Sequence, residues 1–111
     1  MKILIIHQNF PGQYRHLVGA LLARGDQVQA IGGPQAPGMS AVPCFRYGLP
    51  SAGAATAVHP WAQDFQVKVF RAEAVLTLLR QRSGEIVKPD LILGHPGWGE
   101  LLGIKDHWGD V

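Results

Sequence analysis

The sequence predicts a doubly wound α/β fold with a parallel sheet of about four strands, and three observations support this. Short aliphatic runs, typical of strands that are covered on both faces, alternate with segments of helical period. Loops rich in glycine and proline separate these elements. The segments between the runs are long enough for parallel crossovers, which are right-handed in almost every case.

Residues 2–31 are predicted to form a strand, a helix and a second strand. Residues 3–6 are continuously aliphatic, and a shorter apolar run follows at 28–31. Between them, apolar residues recur at helical spacing from Tyr14 to Leu22, which gives one apolar stripe. We expect this helix to end at Gly25.

The rest of the chain adds two strands and two helices. Residues 44–47 are a short strand candidate, and residues 91–93 are a further buried strand. The loop 48–59 between them is long enough to suggest function or mobility. A helix is predicted over 61–79 and a last helix from Glu100. Because helix 61–79 is apolar on two sides, it is either a well-covered core helix or a subunit or domain contact.

Composition excludes several classes of protein. The chain has 111 residues, of which 47% are hydrophobic and 16% charged, as expected of one globular domain. It has no signal-peptide pattern and no apolar run of the roughly 20 residues that span a bilayer, so we expect a cytoplasmic protein without an integral membrane segment. The basic residues are scattered, which does not indicate nucleic-acid binding.

The motifs for common cofactors are missing. The dinucleotide fingerprint requires three glycines after the first strand, where only Gly12 stands, and there is no P-loop triplet. The five histidines lack metal-ligand spacing, so we expect no metal site. Cys44 is single and has no base near it in sequence, which argues against a nucleophile. We therefore expect no cofactor.

Two loops follow the carboxyl ends of predicted strands, where such sheets bind ligands. In the first, residues 7–13, Gly12 allows close backbone approach and the free N–H groups of the helix start favour an anion. Arg15 opposes the helix dipole there, which a bound phosphate or carboxylate would explain. The alternative is an ordinary solvated arginine.

The second loop, residues 95–98, offers a different set of side chains. His95 either contacts a ligand or bonds to the backbone for structural reasons. Trp98 is either a platform for a sugar ring or a core aromatic. Glu100 is stabilised in the first turn of the predicted last helix whatever its role. His59 precedes Pro60 at the start of helix 61–79 and could face the same cleft.

Three segments resemble a bacterial subgroup of the family 4 glycosyltransferases. They are MKILIIHQNFPGQYRHL at the start, HPWAQDFQVKVFRAEAV from residue 59, and KPDLILGHPGWGELLGIKDHW from residue 88. The resemblance implies a GT-B fold, in which two Rossmann-like domains face each other across a cleft. It also implies retaining transfer of a sugar from a nucleotide-sugar donor to a sugar or lipid-linked acceptor, without a required metal.

The resemblance also suggests roles for individual residues. Residues 7–13 are similar to the loop that approaches the donor's diphosphate, which gives His7, Asn9, Gly12, Gln13 and Arg15 as substrate-binding candidates. His95 is similar to the histidine presented to the transferred sugar and is the catalytic candidate. The remaining substrate-binding candidates line the same predicted cleft: His59, Gly97, Trp98 and Glu100.

The resemblance covers only the front of such an enzyme. The donor-binding half with its paired glutamates is missing, so residues 1–111 are expected to be a single, truncated, acceptor-side domain that is inactive alone. The alternative is a non-catalytic α/β module that binds an anionic ligand or a protein partner. Helix 61–79 and an open sheet edge are the candidate surfaces for self-association.

Overall fold

The computed structural model describes residues 1–50 and 58–111; residues 51–57 of the predicted loop 48–59 lie outside the described part. The strands are β1 (Lys2–Ile6), β2 (Gln27–Gly32), β3 (Cys44–Arg46) and β4 (Leu91–Gly94). The α-helices are α1 (Arg15–Arg24), α2 (Gln63–Gln81) and α3 (Ile104–Trp108). Single 3-10 turns precede α1 and α2 and follow β4: Gly12–Tyr14, Pro60–Ala62 and Pro96–Trp98.

The four strands form one parallel sheet in the order β3-β2-β1-β4. The chain proceeds outward from β1 through β2 to β3 and then returns to add β4 on the other side of β1. Strand order therefore reverses between β1 and β4, which makes the carboxyl ends of these two strands the switch point of the sheet. The predicted fold class is confirmed.

Helices cover both faces of the sheet, because successive β1 side chains point to opposite sides. Ile3 and Ile5 pack with α1 through Val18 and Leu21. On the other face, a second cluster joins β1 to α2 and α3: Leu4, Ile6, Val75, Leu78, Leu79 and Ile104. The predicted stop of α1 is also confirmed. Gly25 adopts φ 94°, and its N–H donates to the carbonyls of Leu21 and Leu22.

Helix α2 is packed at one end and exposed at the other. Its carboxyl half is buried through Ala72, Val75, Leu78 and Leu79. In contrast, Trp61 in the preceding 3-10 turn and Phe65 at the amino end are 92% and 62% exposed. The apolar stripe predicted over 61–79 is therefore covered along only part of its length. Self-association through this helix or through the outer side of β4 stays a prediction. None of the helices found in the described residues is long and apolar enough to cross a bilayer.

The last helix begins later than predicted. Residues 99–103 form turns, and α3 starts at Ile104, so Glu100 does not lie in the first turn of a helix. The backbone N–H groups of Leu102 and Ile104 donate to carbonyls three residues back, so this stretch lacks the four-residue spacing of α-helical bonds. Gly99 adopts φ 90° and lies directly against the backbone of α2 at Lys68.

Candidate functional site

The turn after β1 encloses the imidazole of His7. This side chain is 4% exposed, and its Nδ1 accepts a hydrogen bond of 3.1 Å from the backbone N–H of Asn9. Gly12, at φ 47°, lies against the ring, and a Cβ there would approach Nδ1 to 2.9 Å. The absence of a side chain at position 12 is therefore what allows the imidazole to pack inside the turn.

The turn after β4 repeats this local arrangement with a more open ring. His95 caps the 3-10 turn Pro96–Trp98, because its Nδ1 accepts a hydrogen bond of 3.0 Å from the N–H of Gly97. Its side chain is only half-buried. Gly94, just before it, allows close packing, since a Cβ there would lie 2.8 Å from a methyl group of Leu101.

Trp98 joins the two turns. The ring of His95 stacks on its indole, with centroids 4.7 Å apart and an interplanar angle of 23°. The ring of His7 meets the same indole edge-on, at 4.8 Å and 68°. The ring of Tyr14 also meets His7 edge-on, with centroids 5.6 Å apart. Two histidines from the ends of β1 and β4 thus share one aromatic partner at the switch point of the sheet.

The hydrogen bonds fix which nitrogen of each neutral imidazole carries the proton. Since Nδ1 of His7 and of His95 both accept backbone hydrogen bonds, Nε2 is the protonated nitrogen of both rings. Burial, and secondly the charge of His95, lower the pKa of His7 from its ordinary value. His7 is therefore neutral at physiological pH and can only donate from Nε2.

A buried polar group lies behind the β4 turn. Glu100 is 1% exposed, and its Oε2 accepts a hydrogen bond of 2.7 Å from Oη of Tyr47. Burial raises the pKa of Glu100, while the bond from Tyr47 and the charges of Arg71 and His95 oppose that rise. Burial also raises the pKa of Tyr47, and the bond to Glu100 adds to this effect, so the phenol is protonated.

The other predicted residues are placed less centrally. Asn9, Gln13 and Arg15 are exposed around the β1 turn, and Gly97 is exposed in the β4 turn. His59 begins the 3-10 turn before α2, where its Nδ1 accepts a bond from Trp61 and its ring meets the indole at 5.3 Å. No hydrogen bond or ring contact within residues 1–50 and 58–111 joins it to His7 or His95.

Sequence reasoning missed two residues near this site. Tyr47 directly follows β3, and a tyrosine at the end of the strand candidate 44–47 was a signal that could have been used. Arg71 lies on α2 and donates from Nη1 to the carbonyl of Trp98 at 3.4 Å. No local pattern marks it, because its partner is 27 residues away.

The described residues contain no group of three or more side chains suited to hold a metal ion. Cys44 lies outside the switch point, on β3. Burial raises the pKa of its thiol, which keeps it protonated and a poor nucleophile.

A parallel, doubly wound sheet with polar turns gathered at its switch point defines a Rossmann-like ligand-binding domain. The chain belongs to the glycosyl transferase family 4 group, whose family model matches residues 24–111. That match includes the β4 turn, and the β1 turn lies before its start. Comparisons with curated proteins and with solved structures found no match. Membership supports glycosyl transfer as the general chemistry.

Proposed function

We propose that this domain is the acceptor-side part of a retaining glycosyltransferase that takes a sugar from a nucleotide-sugar donor. The observation that carries the proposal is the meeting of His7 and His95 on Trp98 at the switch point. In open α/β sheets this crevice is where ligands bind. Most of the donor's nucleotide would be held by a second domain facing this one.

The two turns take different parts of the donor in this proposal. The β1 turn approaches the diphosphate, because it leads into the start of a helix, which favours an anion, and the exposed cation of Arg15 lies there. No acidic residue stands in the first turn of α1 to compete with a bound anion. Asn9 and Gln13 add exposed amide donors on the same turn.

The β4 turn takes the transferred sugar. His95 directs the hydrogen on Nε2 away from its backbone-bound Nδ1, so it can donate to a sugar hydroxyl or to the oxygen that leaves with the diphosphate. Such a donor stabilises negative charge as it develops on the leaving oxygen. Stacking on Trp98 limits the ring to one orientation.

The test begins with the full-length protein that contains this domain. It is incubated with a panel of nucleotide sugars, and slow donor hydrolysis identifies the donor. We then expect His95→Ala to lower turnover about a hundredfold, while circular dichroism reports an intact fold. His107→Ala is the matched control, because His107 contacts Trp108 on α3, away from the switch point.

The outcomes separate the proposal from its alternative. Turnover by His95→Ala equal to that of His107→Ala would remove His95 from the mechanism. Hydrolysis of no nucleotide sugar by the full-length protein, together with retained binding of inorganic phosphate, would favour a non-catalytic module that binds anions.

A further inference from the structure

The hydrogen bond between Tyr47 and Glu100 connects opposite parts of the sheet. Tyr47 follows β3, is 2% exposed, and is anchored by its own backbone N–H, which donates to the carbonyl of Gly32 at 3.0 Å. Glu100 follows the β4 turn. Strands β2 and β1 lie between β3 and β4, so this one side-chain bond ties the two outer strands together at their carboxyl ends.

The buried pair of Tyr47 and Glu100 costs free energy of folding. Oε1 of Glu100 is buried and accepts no hydrogen bond from the described residues. Nε of Arg71 is also buried and donates none to them. A buried polar atom without a partner costs free energy that an apolar side chain of similar shape would not. Stability is therefore a poor explanation for a carboxyl group here, whereas fixing a particular geometry is a good one.

The geometry that the pair fixes is that of the β4 turn. Glu100 is separated from Trp98 only by Gly99, whose φ of 90° brings the chain against Lys68. From the α2 side, Arg71 donates to the carbonyl of Trp98. The β4 turn is therefore held by α2 through Arg71 and by Tyr47 through Glu100, and it carries the indole on which His95 stacks.

We propose that Tyr47 and Glu100 are positioning residues, whose buried hydrogen bond sets the place of Trp98 and through it the orientation of the His95 imidazole. The part of this inference that concerns sugar transfer rests on the proposed function. For Glu100 it gives an indirect role in place of the predicted contact with substrate, because the side chain is 1% exposed.

The first measurement reports on the turn without any assay of activity. The full-length protein is labelled with 5-fluorotryptophan, and the Trp98 signal is assigned by its loss in Trp98→Phe. We expect Tyr47→Phe to shift or broaden the ¹⁹F resonance of Trp98, and Glu100→Gln to leave it near its original place because glutamine still offers an acceptor oxygen. Trp61, 92% exposed in the 3-10 turn before α2, is the internal reference.

Two further variants complete the set. Glu73→Gln makes the same chemical change at an exposed position on α2 and controls for lost charge. The double variant Tyr47→Phe with Glu100→Leu removes both partners of the hydrogen bond. It leaves no buried carboxyl unpaired, so it is less prone to unfold than Tyr47→Phe alone. We expect it to displace the Trp98 resonance as Tyr47→Phe does.

The second measurement is donor turnover. We expect Tyr47→Phe to lower kcat roughly tenfold with the donor KM unchanged, since a small misplacement of a reacting group is costly. Glu100→Gln should keep most of the wild-type rate, because Tyr47 can still donate to the amide oxygen. An unmoved Trp98 resonance in both Tyr47→Phe and the double variant would overturn the positioning role, whatever the rate. A displaced Trp98 resonance with normal turnover would show that Tyr47 and Glu100 hold the turn. It would also contradict the proposal that His95 takes part in the reaction.

Discussion

The turns after β1 and β4 share one local hydrogen bond but differ in what surrounds it. In each, a histidine Nδ1 accepts the backbone N–H two residues ahead. His7 is then enclosed by Gly12, Tyr14 and Trp98, whereas His95 remains half-buried. The same local motif thus leaves one imidazole enclosed by its neighbours and the other partly exposed. Tertiary surroundings, and not the local sequence, separate the two.

The strongest test of this contrast is Gly99→Ala in the β4 turn. A methyl group there would collide with the carbonyl of Lys68 and lie 2.6 Å from its Cα, in backbone that cannot yield, and φ 90° adds strain. We expect a loss of about 3 kcal/mol or more in the free energy of unfolding, measured by urea denaturation. Gly19→Ala is the control: Gly19 is helical with nothing within 4 Å, so alanine should raise stability by up to about 1 kcal/mol. Equal stabilities of the wild-type protein and Gly99→Ala would contradict the close approach of turn and helix.

A smaller effect is expected from Arg15→Ala beside the β1 turn. If this turn takes the diphosphate, loss of the cation should weaken binding of the donor about tenfold, or ~1.4 kcal/mol. The measurement is a calorimetric titration of the full-length protein with the donor that the panel identifies. Arg80→Ala, at the exposed carboxyl end of α2, should bind as the wild-type protein does. Unchanged affinity in Arg15→Ala would make this arginine an ordinary solvated side chain.

The smallest expected effect is the pH dependence that the buried imidazole of His7 adds to the stability of the domain. Because the pKa of His7 is lower in the folded protein than in the unfolded chain, the unfolded state takes up its proton first as the pH falls. The free energy of unfolding should therefore decline below about pH 6.5 and level off under the folded pKa. Urea denaturation at several pH values should show a shallower decline in His7→Gln than in His107→Gln. Identical slopes would mean that His7 is not buried in solution.

The sequence was sufficient wherever the deciding contacts are local or periodic. The aliphatic runs predicted β1, β2 and β4, and Gly25 marked the end of α1. The positions of the two turns at strand ends followed from the same pattern. The common contact of His7 and His95 with Trp98 could not be predicted, because it depends on the register of β1 against β4. In that register Ile6 pairs with Gly94.

The predictions that were wrong depend on contacts between residues far apart in the sequence. Glu100 was expected in the first turn of a helix, but the backbone bonds there span three residues, and Tyr47, 53 residues away, bonds to the buried carboxyl. Trp61 and Phe65 fit the apolar stripe of α2 and yet are exposed. Periodicity shows that a stripe exists, and only the tertiary fold determines whether something covers it.

Strand order also has a consequence for how the chain reaches its native state. β1 pairs with β2 across about 25 residues and with β4 across 88, as in Lys2 with Gln27 and Ile3 with Leu91. Closing the longer loop costs more entropy and is rewarded only when β4 docks. We therefore expect α1 and the first two strands to form an early nucleus on the ribosome, with the histidines meeting only after β4 has emerged. The contact of both histidines with Trp98 is thus a late step in the assembly of the sheet during synthesis.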